Sequence, residues 1–299
     1  MHAILEGYDY VTGAVRGPDI GYLIATKTSG ATPDHPKSTI FEYDGEEWSD
    51  DAQVSFPVVG ASICKSPNEQ LIALGPKGEA VLLGSGDVHA ENVLQSAGAT
   101  GSPGALRAVG SVAGNALAVG MGRQVYRRLD SGLWMSLGDG LPSDETAVTG
   151  FEAIDGFSLS EIYAAGWNGE IFRFDGERWN AILSPTNLTL TSICCATDGN
   201  VYFGGQAGIL IAGRGDQLGV IEHAAFPHDI WSLAWLEPHL YLATMRGVFR
   251  LADGTVEEVR MTSRERPSTY HLCQAGNVLW SIGRQDVMAF DGQVWHRIA

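Results

Sequence analysis

The sequence predicts an all-β protein, a seven-bladed β-propeller of four-stranded antiparallel blades. Three observations carry this: an aromatic-Asp-Gly-x-x-Trp motif recurs along the chain, a strand ending in small residues returns at a near-constant interval, and no window keeps a helical apolar period. The motif stands at Tyr43-Asp44-Gly45-Glu46-Glu47-Trp48, Phe174-Asp175-Gly176-Glu177-Arg178-Trp179 and Phe290-Asp291-Gly292-Gln293-Val294-Trp295. Leu129-Asp130-Ser131-Gly132-Leu133-Trp134 is a degraded copy, and Leu251-Ala252-Asp253-Gly254 keeps only the turn. Each is preceded by an alternating apolar run such as Ile171-Phe172-Arg173-Phe174 or Val248-Phe249-Arg250-Leu251. A period-2 run leading into Asp-Gly predicts a strand entering a two-residue type I′ hairpin turn, because both central residues of that turn need positive φ.

Upstream of each such strand lies another whose last residues, 26, 75, 120, 166, 205, 244 and 283, are spaced by 49, 45, 46, 39, 39 and 39. A further strand precedes it, as in Ala61-Ser62-Ile63-Cys64 and Thr191-Ser192-Ile193-Cys194. Each unit then reads as an inner strand A, the small-residue strand B, the strand C that runs into Asp-Gly, and an outer strand D carrying the Trp. Four short strands every 40–45 residues is the signature of a propeller blade, since one sheet cannot hide both of its faces unaided. The blades fall at 9–54, 58–96, 104–137, 147–184, 189–222, 229–260 and 268–299, in a single domain spanning 1–299. Residues 1–8 are expected either to add an outer strand to blade seven or to pack across the seam.

On these residues the chain resembles the broad propeller superfamily and no single branch of it. It lacks the Gly-His and Trp-Asp signature of WD-repeat blades, and its Asp-to-Trp spacing departs from the sialidase Asp box. The resemblance implies architecture only, because hydrolases, lyases, lactonases and scaffolds all use it.

Nineteen basic against 35 acidic side chains give a net charge of −16. That surplus argues against direct binding to nucleic acid, which needs Lys and Arg for phosphate contacts. It favours basic partners reached by long-range steering. No run is long enough to span a bilayer as a helix, and the N-terminus lacks the pattern of an export signal, so a cytoplasmic location and no membrane association are expected.

Candidate chemistry is sparse. Cys64, Cys194 and Cys273 share one repeat position on the A strands, where a small apolar side chain fits, and a disulfide framework is not expected. Ser62-Ile63-Cys64-Lys65 matches an S-x-x-K pattern, but on a strand its Ser and Lys face opposite sides. His223, His228 and Asp229 lie in one long connection without a third spaced ligand, so no metal or other cofactor is expected. Arg123, Arg246 and Arg284, with Lys77, occupy B–C turns, the geometry a funnel enzyme acting on an anionic substrate would need. Trp167-Asn168 is a B–C turn with an aromatic suited to an interface.

Acids crowd Glu42, Asp44, Glu46, Glu47, Asp50 and Asp51, and others sit in the A–B and C–D turns. The D–A connections carry Asp139, Asp144, Glu145, Glu222, Asp229, Glu257 and Glu258. Unequal loops on a rigid scaffold, with no convergent nucleophile, predict a non-catalytic protein-binding propeller. Its partner-binding residues are expected among Asp139, Asp144, Glu145, Trp167, Asn168, Glu222, Asp229, Met245, Arg246 and Arg284. In general character, a compact acidic chain without catalytic apparatus is similar to the immunity proteins of interbacterial toxin systems, such as contact-dependent inhibition. That similarity implies a basic toxin domain, of which a nuclease is one class, as partner. The funnel enzyme (lactonase, glycosidase or lyase) and a generic scaffold or sensor are the alternatives.

Overall fold

The computed structural model describes residues 3–28, 37–84, 86–99, 104–142, 148–261 and 266–299. Among them the chain forms seven four-stranded antiparallel sheets, each a simple meander: a seven-bladed β-propeller. Blade one holds β1 (Tyr8–Gly17), β2 (Ile20–Lys27), β3 (Ser38–Tyr43) and β4 (Trp48–Val54). Blade two holds β5 (Gly60–Cys64), β6 (Gln70–Leu74), β7 (Glu79–Gly84) and β8 (Asp87–Asn92), followed by the single-turn α1 (Val93–Ser96). Blade three holds β9 (Leu106–Val112), β10 (Asn115–Gly120), β11 (Gln124–Asp130) and β12 (Leu133–Ser136). Blade four comprises β13 (Phe151–Ser158), β14 (Glu161–Gly166), β15 (Ile171–Phe174) and β16 (Trp179–Ile182). Blade five comprises β17 (Leu190–Cys195), β18 (Val201–Gly205), β19 (Leu210–Arg214) and β20 (Gln217–Val220). Blade six comprises β21 (Ser232–Leu236), β22 (His239–Thr244), β23 (Gly247–Ala252) and β24 (Thr255–Glu258). Blade seven comprises β25 (His271–Ala275), β26 (Val278–Ile282), β27 (Val287–Phe290) and β28 (Trp295–Arg297). Two compact units group these blades, one of residues 59–221 and one of residues 1–58 with 222–299.

In the unit of blades two to five, the A strands β5, β9, β13 and β17 pack side by side. Apolar clusters fill the spaces between successive sheets: Ile72 and Leu74 meet Ala116 and Trp134, Leu117 and Val119 meet Phe151 and Trp179, and Tyr163 meets Ile193 and Phe203. The B strands are covered on both faces, with every residue of β6 and β18 buried. In the unit of blades one, six and seven, β1 packs on β25 and β26, so the first and last blades are neighbours. Leu5, in a short 3₁₀ turn at Ala3–Leu5, joins the cluster of Phe41, Trp48, Trp280 and Ala299.

The outer-strand Trp residues fill the gaps between sheets and also tie them together. The Trp48 indole N–H donates to the Ile298 carbonyl at 2.8 Å, and that of Trp179 to Leu137 at 2.6 Å. Trp134 donates at 2.8 Å to the Glu91 carboxylate on the D strand of the preceding blade. Glu91 also takes the Gly132 backbone N–H and a two-pronged bond from Arg128, whose side chain is 1% exposed against 3% for Glu91. Burial alone would raise the Glu91 pKa; these donors outweigh it and hold the carboxyl below its ordinary value.

The turn expectation needs correction. In the three full motifs Asp-Gly does not form a two-residue turn. Tyr43 pairs across to Trp48, Phe174 to Trp179 and Phe290 to Trp295, leaving four residues in the connection. The Asp carboxylate builds it as an Asx turn: Asp44 accepts the N–H groups of Glu46 and Glu47, Asp175 those of Glu177 and Arg178, and Asp291 those of Gln293 and Val294. These backbone donors pull the Asp175 carboxyl down to about 2. The two-residue turn appears in blade six, where Ala252 pairs with Thr255 and Asp253 and Gly254 lie at φ 50° and 74°. The degraded copy in blade three is also a two-residue turn, with Asp130 paired to Leu133 and Gly132 at φ 67°.

Titratable groups on the A strands are held away from their ordinary pKa values. Burial pushes the Asp155 carboxyl up to about 6, against the N–H bonds it receives from Cys195 and Gly156. Burial takes His271 down to about 4, and its Nε2 lies 3.2 Å from the Gly13 carbonyl. The four thiols are unpaired by disulfides; Cys64 and Cys194 are buried, and Cys195 and Cys273 half-buried, with burial raising Cys273 to about 12.

Two outcomes follow. Arg128→Ala leaves Glu91 buried without its counter-charge and lowers stability by about 3–5 kcal/mol in urea denaturation at pH 7. Between pH 6.5 and 4 the unfolded chain protonates His271 while the native one does not, so this residue removes stability as the pH falls. Asp155 acts oppositely, contributing stability below pH 6 that is lost as the pH rises through it. The stability of wild type minus that of His271→Gln, measured at pH 7.5 and 4.5, should therefore drop by about 2 kcal/mol at the lower pH.

Candidate interaction surface

In blade six the loop between strands B and C is organised by Thr244, which is fully buried. Its hydroxyl accepts the backbone N–H groups of Arg246 and Gly247 at 3.0 and 3.2 Å, fixing a tight turn that projects Met245 and Arg246 outward. The Thr244 carbonyl accepts the Thr269 hydroxyl at 2.6 Å, and the neighbouring Ala243 carbonyl accepts the Trp231 N–H at 2.8 Å. These bonds gather three otherwise distant residues, Trp231, Met245 and Tyr270, around one strand end. Trp231 and Tyr270 are each 38% exposed and Met245 is 66% exposed. The two rings contact at 5.6 Å between centroids, tilted by 43°. A cavity of about 320 Å³ adjoins this patch, lined in part by Gly247, Val248, Met261, Arg266 and Thr269.

Charges around the patch largely answer one another. Arg250 pairs with Glu257 and Arg266 with Glu258. Arg284 pairs with Asp9 at 2.8 Å, and Arg297 with Asp286, whose other oxygen holds the Ser268 N–H and hydroxyl. Arg246 is exposed and has no ion-pair partner among the described residues. Asp229 is half-buried two positions before Trp231, and Glu222 is exposed. His223 stacks on Phe226, which packs on Phe249 at 4.3 Å between ring centroids. Among the described residues no group of three or more His, Cys, Asp or Glu could hold a metal ion.

The unit of blades two to five presents its own B–C and D–A connections. Arg123 is not an exposed funnel residue. Its side chain is 9% exposed and clamps Glu170 of the next blade through two bonds of 2.7 and 2.6 Å, while Thr149 binds the same carboxylate. With Arg284 also paired, the arginines expected to line an anion-binding funnel do not form a free set. Trp167 is half-buried rather than fully projecting, and its indole N–H donates to Glu152 at 2.6 Å; Arg107 binds the same carboxylate. Asn168 is exposed at φ 59°. Asp139 is exposed, with its carbonyl taking the Trp179 N–H. Asp144 and Glu145 lie outside the described residues.

Of the residues expected to bind a partner, Met245 and Arg246 thus share a surface with Trp231 and Tyr270, which the motif reading passed over. A signal for both was present: they lie 39 residues apart, the late-repeat interval, each one position before an A strand.

No family model matches the sequence. Among solved structures the chain resembles YCF48 bound to a D1 peptide, with a TM-score of 0.68 and 15% identity over 95% of this chain and 91% of that one. It also resembles Sqt1 of Chaetomium thermophilum, with a TM-score of 0.66 and 11% identity over 96% and 83%. These two likenesses show the fold alone. The sequence is 41% identical over 297 residues to the immune protein Tsi7 of Pseudomonas aeruginosa PAO1, covering 97% of each chain. At that identity and coverage, the chain belongs to the family of the immune protein Tsi7.

Proposed function

We propose that this protein is a cytoplasmic immunity protein that binds a toxin domain and neutralises it by occlusion, with no chemistry of its own. The observation that carries the reading is the end-to-end similarity to an immune protein. The site geometry supports it: an exposed aromatic and thioether patch suits macromolecular contact, and Arg123 and Arg284 are engaged in ion pairs within the fold.

The partner is a basic domain, of which a nuclease is one class, delivered by contact from a neighbouring cell. The net charge of −16 supports this finer reading. A field of that sign accelerates encounter with a cation-rich surface and is screened by salt. Expression of the polypeptide encoded immediately upstream should be lethal alone and tolerated when this chain is co-expressed, and the two should co-purify. The association rate should fall by about tenfold or more between 25 and 300 mM NaCl. Loss of protection and of binding would overturn the immunity reading; a salt-independent association rate would overturn the basic partner.

A further inference from the structure

We propose that Trp231, Met245 and Tyr270 form the anchor of the complex, seating a protruding apolar side chain of the basic toxin domain. The inference rests on the immunity reading and deepens it by assigning the surface.

Four observations carry it. Within the unit of blades one, six and seven, the exposed large apolar side chains among the described residues are Ile4, Trp231, Met245, Tyr270 and Val294, and three of these five stand together. Their backbone is held there by bonds to Ala243 and Thr244, so little backbone ordering is left to be done on binding. The two rings rest against each other, yet each keeps more than a third of its surface in water. The patch is bordered by ion pairs already satisfied inside the fold, so covering it does not strand those charges.

Trp and Tyr, with an exposed Arg alongside, are the residue types that dominate binding energy at interfaces. The occupant follows from charge complementarity. A chain at −16 selects a basic partner at long range, whereas the anchoring side chains Trp231, Met245 and Tyr270 are uncharged. Attraction and grip are therefore separated: net charge governs how fast the toxin arrives, and the aromatic patch governs how long it stays.

The test uses the full chain and, as probe, the polypeptide encoded immediately upstream, with binding followed by surface plasmon resonance. Trp231→Ala and Tyr270→Ala should each raise the dissociation rate by about 30-fold or more, with association changed by less than about twofold. Trp231→Phe should retain most of the lifetime. Leu183→Ala, at a position 90% exposed in blade four's outgoing connection, should leave both rates as they are. Circular dichroism and thermal unfolding establish that each variant is folded. If Trp231→Ala or Tyr270→Ala does not fold, Met245→Glu at the 66% exposed position decides, with the same expected rise in dissociation. Wild-type binding with unchanged dissociation for the folded variants overturns the anchor and leaves the immunity reading standing. Absence of wild-type binding overturns that reading and the anchor with it.

Discussion

A sheet of four antiparallel strands with apolar residues on both sides cannot be stable alone, and the rest of this structure depends on covering both faces. The B strands show the constraint most plainly: Leu71, Ile72, Ala73 and Leu74 are buried whichever way they point, as are Val278 to Ile282. Such strands fold only between two neighbours. In blades one, three, four and seven a large filler comes from strand D: Trp48, Trp134, Trp179 and Trp295. Each is a large side chain with one polar atom, and where its N–H reaches a carbonyl or carboxylate of the adjoining blade, filling and fastening are achieved by one residue.

Charged side chains reinforce the same arrangement. Glu91 with Arg128, Glu152 with Arg107, Glu170 with Arg123 and Glu161 with Arg214 each join successive blades, and Asp9 with Arg284 joins the first to the last. These five of the fifteen arginines are held within the fold, and the excess of acids sets the net charge of −16. With Arg123 and Arg284 engaged in ion pairs and a net charge of −16, the chain is poorly suited to holding an anionic substrate, which agrees with membership in an immune-protein family. The strands are committed to packing, which leaves the turns as exposed surface. The turn at Thr244 illustrates how a buried hydroxyl fixes the backbone of a loop that presents an exposed Met245.

Much of the fold was legible because its cause is local and repeated. The alternation in Ile171-Phe172-Arg173-Phe174 and the recurrence of Asp-Gly-x-x-Trp reflect strand pleat and turn chemistry, which act over a few residues. Even so, Asp-Gly was read as a two-residue turn, when the Asp carboxylate instead captures two N–H groups ahead of it. That choice separates Asp-Gly-x-x-Trp in blades one, four and seven from the shorter connections of blades three and six, where the pairing of the strands leaves only two residues between them. Of the expected binding residues, Met245 and Arg246 fell on the aromatic patch, while Trp167 was drawn in by Glu152 and Arg284 by Asp9.

By itself the sequence determined the strand order, the sevenfold repetition, the acidic charge and the Trp as inter-blade filler, since periodicity, composition and turn preference are properties of adjacent residues. Only the tertiary structure decided which arginines are neutralised, and that Trp231 and Tyr270 meet beside the strand end that leads to Met245. Those outcomes are set by hydrogen bonds and ion pairs between residues far apart in the chain, whose distances exist only once neighbouring sheets have packed.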